Sequence, residues 1–421
     1  MLNKLKKVKD LTKRVRKSKD GKVLVENFAY LTLLQVAGYI FPLITLPYLA
    51  RVIGVDSFGK IAFAAAIIGW FQTVADWGFN YTATRDVAKN REDKEKVSQI
   101  FSNVLWARVF LMLVSFVALS ICVMTIPKLR ENADVIMISF LMIPGHIMFP
   151  DWFFQAMERM KYITILNIIS KTLFTIAVFL FIKEKQDYLL QPLFTSLGFV
   201  VSGIIAMYYI LVKWKIRLRF TPFKEIIKTI KSSTDVFINN IVPNLYNAFS
   251  SILLGFVGGD VANGILDAGR KFITIMIQMI KTLSRVFFPF LVRKSNNHNL
   301  YSKIMLMFSM ILSVGIFVFA PTLMNIFFTK EFYEGGVLVM RIMSFYVFAI
   351  SVNDVYGINY MIIKKKEAEL RNITFITAIV GFITAIILIP KFGFIGAALA
   401  ITFSGSLRAL IIYLYVKLKI N

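Results

Sequence analysis

Apolar stretches of about twenty residues recur along the whole of this chain, each long enough to cross a bilayer as an α-helix. Twelve are readable: 27–50, 61–80, 100–124, 135–156, 162–182, 188–212, 233–257, 264–289, 304–327, 336–360, 372–389 and 394–416. In hydrocarbon no water satisfies a backbone amide, so only helices and closed barrels span it. These segments lack the short apolar/polar alternation of a barrel strand and are too long for one. Hydrophobic residues make up 57% of the 421, above the roughly 45–50% of soluble domains. The expected fold is an all-α integral membrane protein of twelve transmembrane helices. No polar stretch is long enough to fold as a separate soluble domain.

A net charge of +25 could point to nucleic acid, but its distribution points elsewhere. Outside the spans, 33 Lys/Arg fall in the N-terminus, the even loops and the C-terminus, against 8 in the odd loops. That asymmetry is the positive-inside signal and places both termini in the cytoplasm, with anionic lipid as a partner. Residues 1–26 form a basic N-terminus whose Leu2, Leu5, Val8, Leu11 and Val15 recur at helical spacing. It reads either as an amphipathic surface helix or as a solvated basic tail. The basic stretch 213–232 divides the chain into six spans (27–212) and six spans (233–421). The first loop of each half looks alike, Gly54-Val-Asp56-Ser-Phe-Gly59 and Gly258-Gly-Asp260-Val-Ala-Asn-Gly264, as in parallel-repeat transporters. Pro42 and Pro47 in span 1, Pro144 and Pro150 in span 4, Pro192 in span 6 and Pro243 in span 7 each remove a backbone hydrogen bond and invite a kink.

Span 8 carries the strongest functional signal. At about 100° per residue, Asp267, Arg270, Lys271, Thr274, Gln278, Lys281 and Arg285 share one face, and the other faces are apolar. A charge at the bilayer centre costs at least about 2.5–3.5 kcal/mol, so this stripe cannot face lipid. Across all spans there are eight cations (Arg108, Lys171, Arg270, Lys271, Lys281, Arg285, Arg341, Arg408) and five aspartates (Asp76, Asp151, Asp235, Asp267, Asp354). If each aspartate neutralises one cation, at least three cations remain, and a cationic interior implies an anionic cargo.

Other polar residues extend the hydrated path. Ser233, Asn240, Asn244, Asn247 and Ser251 share a face of span 7, and Thr164, Asn167, Lys171 and Thr175 one of span 5. Amides and hydroxyls offer donors and acceptors suited to sugar hydroxyls, whereas Arg and Lys suit phosphate. His146, with Asp76, Asp151 and Asp354, supplies candidates for ion coupling, since a buried His or Asp can carry a proton or cation. Gly54 to Ile61 nearly spells a phosphate-binding P-loop but lacks the terminal Ser/Thr. Cys122 is the only cysteine, which excludes an internal disulfide and a cysteine-based metal cluster. No metal site or cofactor is expected, nor a hydrolytic enzyme motif.

The stretch Leu46-Pro-Tyr-Leu-Ala-Arg51-Val-Ile-Gly54 to Phe58-Gly59, then Asp76-Trp-Gly-Phe79 and Ala83-Thr-Arg85-Asp-Val-Ala-Lys89-Asn-Arg91, resembles the bacterial polysaccharide flippases of Wzx type. Pro150-Asp-Trp152-Phe-Phe-Gln155-Ala-Met-Glu158, Phe288-Pro289 and Gly393-Phe-Ile-Gly396-Ala-Ala add to the likeness. The resemblance implies the multidrug/oligosaccharidyl-lipid/polysaccharide (MOP) exporter superfamily, with two six-helix lobes around a central cationic cavity. It implies translocation of undecaprenyl-diphosphate-linked oligosaccharide from the cytoplasmic to the outer leaflet of the bacterial inner membrane. Alternating access driven by an H⁺ or Na⁺ gradient would power it, in company with polysaccharide polymerase machinery. On this reading Arg270, Lys281 and Arg285 hold the diphosphate, helped by Lys171, Arg108 and Arg341, while Asn240, Asn244 and Asn247 meet the sugars. The rivals are a drug/ion antiporter of the same superfamily, a lipid II flippase and a membrane polysaccharide polymerase. Surplus cations argue against a cationic drug, twelve spans leave no room for the extra helices usual in lipid II flippases, and short odd loops argue against a polymerase.

Overall fold

The structure, a computed structural model, describes residues 19–293 and 298–419; the side chains of residues 19–25, 28, 235, 239–247, 285, 286, 288–290, 292 and 293 lie outside that description. Most of the basic N-terminal stretch is therefore outside the described residues. Those described are almost entirely helical, with no strand among them.

Spans 1 and 2 form one helix, α1 (Lys19–Asp76), interrupted only at Gly54 (φ 72°). The helix continues through Pro42 and Pro47, so the break falls where the backbone adopts a left-handed conformation that glycine alone takes without strain. The break lies inside the expected connection at 51–60, and the chain stays helical through both prolines. After α2 (Phe79–Lys89), span 3 is α3 (Lys94–Thr125), capped by Asp93, whose carboxylate accepts the amides of Glu95 and Lys96. Beyond the short α4 (Pro127–Glu131), span 4 is broken into α5 (Ala133–Phe140), α6 (Met142–Met148) and α7 (Asp151–Ala156). Here the expected proline disruption does occur, at Pro150. Spans 5 and 6 are α8 (Met160–Phe181) and α9 (Leu190–Tyr208). The second half runs through α10 (Phe223–Val257), α11 (Gly259–Arg293), α12 (His298–Phe327), α13 (Lys330–Val352) with a π-helical continuation (Asn353–Ile362), and α14 (Glu367–Lys419). Spans 11 and 12 share α14, broken at Gly393 (φ 54°).

Eight stretches are long and apolar enough to cross a membrane among the described residues, and those within 29–89 and 367–419 each cover two expected spans. The expected spans 7 and 8 lie in α10 and α11, whose side chains are described only in part. Outward faces are apolar: Leu113, Val117, Ile121 and Met124 on α3, and Met307, Ile311, Val314 and Val318 on α12, are exposed. A surface of this kind is built for lipid, and the molecule is a multi-pass membrane protein.

The two halves interlock at the end marked by Gly54. A methyl on Gly59 would lie 1.7 Å from the carbonyl oxygen of Asp260, and one on Gly264 would lie 2.4 Å from that of Val55. The similar loops that the sequence shows at the head of each half are thus packed against one another. Lys128 on α4 pairs with Asp260 at 3.1 Å, and the Val55 amide donates to Glu331 at 3.5 Å. At the opposite end, Trp77 stacks on Phe237 with ring centroids 3.9 Å apart, and Thr82 hydrogen-bonds Ser233 at 2.7 Å.

Candidate functional site

A cavity of about 1110 Å³ lies between α1, α8 and α9 of the first half and α10 and α11 of the second. Its wall is largely apolar, with Leu46, Ile53, Phe58 and Phe174 among the lining residues. Besides Gln35, Thr45 and Thr73 of α1, polar side chains enter the cavity from four helices. Asn167, Ser170 and Lys171 project from α8, Gln191 and Thr195 from α9, Ser251 from α10, and Asp267, Arg270, Lys271, Thr274 and Gln278 from α11. The α11 set is the upper part of the span-8 stripe, now placed against a cavity.

Within the stripe the charges differ in their partners. Asp267 holds Lys271 at 2.7 Å, one helical turn on, so this pair is neutral. Arg270 donates to Ser251 of α10 at 2.8 Å. Lys171 reaches across from α8, its ammonium 3.8 Å from the space a methyl on Gly38 would fill. Among the described residues, neither Arg270 nor Lys171 forms an ion pair with a carboxylate. The cavity therefore carries two uncompensated cations, one from each half. Lys171 lies ten residues from the end of α8 and Arg270 eleven from the start of α11, so each is about 15–17 Å from the Gly54 end at 1.5 Å per residue.

Arg108 lies elsewhere. It is 1% exposed, and its guanidinium bonds the carboxylate of Asp76, with His146 Nε2 3.6 Å from the other Asp76 oxygen. Three helices of the first half meet at this cluster, away from the cavity lining, so Arg108 is already neutralised by Asp76 rather than grouped with Arg270. Arg341 is also apart: it is exposed on α13 with its guanidinium 5.5 Å from the centre of the Phe317 ring. Lys281 is exposed and off the cavity lining. It lies on the same α11 face as Arg270, eleven residues along or about 16 Å. Asp151 heads α7, its carboxylate accepting the Trp152 amide at 2.7 Å. Asp354 is buried in the π-helical segment of the second half. Asn240, Asn244, Asn247 and Arg285 are outside the residues whose side chains the structure describes.

Sequence reasoning left three cavity features out of its site. Lys271 was on the stripe but was not assigned a role, although its i, i+4 spacing from Asp267 signals the pair. Gln191 and Thr195, and the rings of Tyr39 and Trp70, also line the wall. Nothing in the sequence sets those rings apart from packing aromatics.

Comparisons with known proteins agree with this architecture. Over 408 residues the chain is 26% identical to "Putative O-antigen transporter" of Escherichia coli (strain K12), covering 94% of this chain and 97% of that one. Over 400 residues it is 26% identical to the protein of the same description from Shigella dysenteriae, covering 93% and 100%. Among solved structures it resembles the lipid II flippase MurJ in an inward closed conformation (TM-score 0.74, 15% identity, 93% of this chain and 87% of that one). It also resembles an inward-facing multidrug resistance MATE family transporter of the MOP superfamily (TM-score 0.66, 15% identity, 94% and 98%). At such identities these likenesses establish the fold, which is that of MOP transporters. The family profile described as "Polysaccharide biosynthesis protein" matches residues 24–295, well over half of the chain, and the chain belongs to that family.

Proposed function

We propose that the protein is a flippase that moves undecaprenyl-diphosphate-linked oligosaccharide from the cytoplasmic to the outer leaflet of the bacterial inner membrane, for surface polysaccharide assembly. The observation that carries this reading is the pair of uncompensated cations, Lys171 and Arg270, facing one largely apolar cavity from opposite halves. A lipid-linked diphosphate carries two negative charges, and guanidinium and ammonium groups in a poorly hydrated wall bind such oxygens through charge-assisted hydrogen bonds. A cationic drug would be repelled there, which disfavours the antiporter reading. The names of the curated relatives support a polysaccharide cargo.

Lys281, and Arg285 beyond it, continue the cationic face of α11 and would meet the diphosphate at a different stage of its path. Asn240, Asn244 and Asn247 stay assigned to sugar contacts. Coupling to H⁺ or Na⁺ is assigned to the carboxylates Asp76, Asp151 and Asp354 with His146, of which Asp76 and His146 lie in one partly buried cluster. Both termini are placed in the cytoplasm, so the Gly54 end faces outward, and polysaccharide polymerase machinery is the expected neighbour.

The test is leaflet exchange of a fluorescent undecaprenyl-diphosphate oligosaccharide in liposomes, with and without an imposed ion gradient. Removing one charged hydrogen-bond donor, as in Arg270→Gln or Lys171→Gln, is expected to weaken binding about 10- to 150-fold. Exchange at the wild-type rate in both variants would refute the assignment.

A further inference from the structure

Tryptophan is scarce in this chain, with 5 in 421 residues. Four of the five pack against another aromatic ring: Trp77 on Phe237, Trp106 on Phe220, Trp152 on Phe101 and Trp214 on Phe154. Trp70 is the exception. Among the described residues its ring contacts no other ring, its indole nitrogen has no hydrogen-bond partner, and it lines the cavity. Tyr39 lines the same cavity, likewise without a ring partner, its hydroxyl donating to Gln35 at 3.4 Å. A large amphipathic ring normally finds a packing or hydrogen-bonding partner when buried; Trp70 has neither among the described residues, and with the unstacked Tyr39 ring on the same cavity wall it points to a ligand surface.

Their position defines which part of a ligand they would meet. Gly59 abuts Asp260, which sets the register between the second limb of α1 and α11. Trp70 is eleven residues beyond Gly59 and Arg270 ten beyond Asp260, so both stand about 15–17 Å from that crossing. Lys171 reaches Gly38, next to Tyr39 in the chain. The two free rings thus share a level with the two free cations. Asn167 adds an amide to the same wall; its nitrogen is committed to the Ile163 carbonyl at 2.9 Å, and its oxygen is left as an acceptor.

We propose that Trp70, with Tyr39, is the stacking platform for the first sugar ring attached to the diphosphate held by Arg270 and Lys171. The C–H face of a pyranose is weakly positive and apolar, and it packs on the electron-rich face of an indole; the hydroxyls around its rim then reach amides such as that of Asn167. This rests on the diphosphate reading above. It assigns recognition of the first sugar to α1 of the first half, beside the anion site, rather than to the amide stripe of α10 alone.

The test measures binding to the full-length protein in nanodiscs with two probes: undecaprenyl diphosphate, and undecaprenyl diphosphate bearing one N-acetylglucosamine. Trp70→Ala is expected to weaken the sugar-bearing lipid about three- to tenfold while leaving the bare lipid within about twofold. Trp70→Phe, which keeps a ring, should recover most of the loss. Addition of the sugar-bearing lipid, and not of the bare lipid, should change the tryptophan emission of the wild type, and this change should vanish in Trp70→Phe. Equal weakening of both lipids by Trp70→Ala, or of neither, would overturn the platform and leave the diphosphate site standing. Failure of the wild type to bind either lipid, or indifference of both lipids to Arg270→Gln, would overturn the site itself and the platform with it.

Discussion

Substituting Gly59 tests whether the contact between the two halves holds the Gly54 end closed. The added methyl of Gly59→Ala would lie 1.7 Å from the Asp260 carbonyl oxygen, where real side chains stay beyond 3.0 Å. The backbones of α1 and α11 must therefore part by at least the 1.3 Å difference. The obstructing atom is main chain, and Lys128 holds the Asp260 side chain beside it, so it cannot swing aside as a flexible side chain would. Overpacking of this kind costs about 1–3 kcal/mol, and here the cost falls on the closed arrangement alone. The open population should rise about 5- to 150-fold, at tenfold per 1.4 kcal/mol. Ile53 is fully buried and lines the cavity, so Ile53→Cys in a Cys122→Ser background reports opening through its rate of labelling by a membrane-impermeant maleimide. Gly315→Ala, where the new methyl meets nothing within 4 Å, should label at the wild-type rate. A Gly59→Ala protein that inserts, melts like its parent and labels no faster would refute the reasoning.

Two other changes probe charge. Asp76→Leu leaves Arg108 buried and unpaired, which should destabilise the protein by about 3–5 kcal/mol, whereas Asp76→Leu with Arg108→Leu should recover most of that; thermal unfolding in detergent distinguishes the two, and equal losses would refute the pairing. In the loop before α8, Glu158 accepts a hydrogen bond from Arg91 at 2.9 Å, and that contact holds its carboxyl below the usual range. A depressed folded pKa contributes stability that is present above the unfolded value of about 4.3 and fades as pH falls through the folded one. Both side chains are partly exposed, so the pair is worth about 0.2–1 kcal/mol. The melting-temperature gap between wild type and Glu158→Gln should be small at neutral pH and close under acid conditions; a gap that widens below pH of about 4 would contradict the sign.

The helical segments were legible because lipid demands long apolar runs, and such runs survive in hydropathy whatever their neighbours do. Their connections were less so. Proline marks a lost hydrogen bond but not whether a helix ends: α1 passes Pro42 and Pro47, and the chain reverses at Gly54, where a left-handed residue is needed. The likeness of Gly54–Gly59 to Gly258–Gly264 was readable as a repeat. That these loops touch was not, because similarity between two segments says nothing of the distance between them. The π-helical stretch at Asn353–Ile362 was equally hidden, since an extra residue in a turn barely alters an apolar pattern over ten residues.

The site shows the same division between what a helix face reveals and what only a neighbouring helix decides. Angular position put Asp267, Arg270 and Lys271 on one inward stripe, and the cavity lies against that stripe. Counting charges along the chain left at least three cations for a cargo, yet it could not say which aspartate neutralises which. Arg108 and Asp76 are 32 residues apart and on different helices, and Arg341 leaves the interior by lying over Phe317. Lys271 is cancelled within its own helix by Asp267. What remains at the cavity is a charge of two, divided between halves that must move relative to each other if access alternates. If the proposed cargo anion bridges Lys171 and Arg270, it would draw the halves together, and on their separation it would stay with one partner only. Under the proposed reading, the two cations would hold the diphosphate most tightly when the halves are together, and opening toward either leaflet would loosen the grip, as release requires.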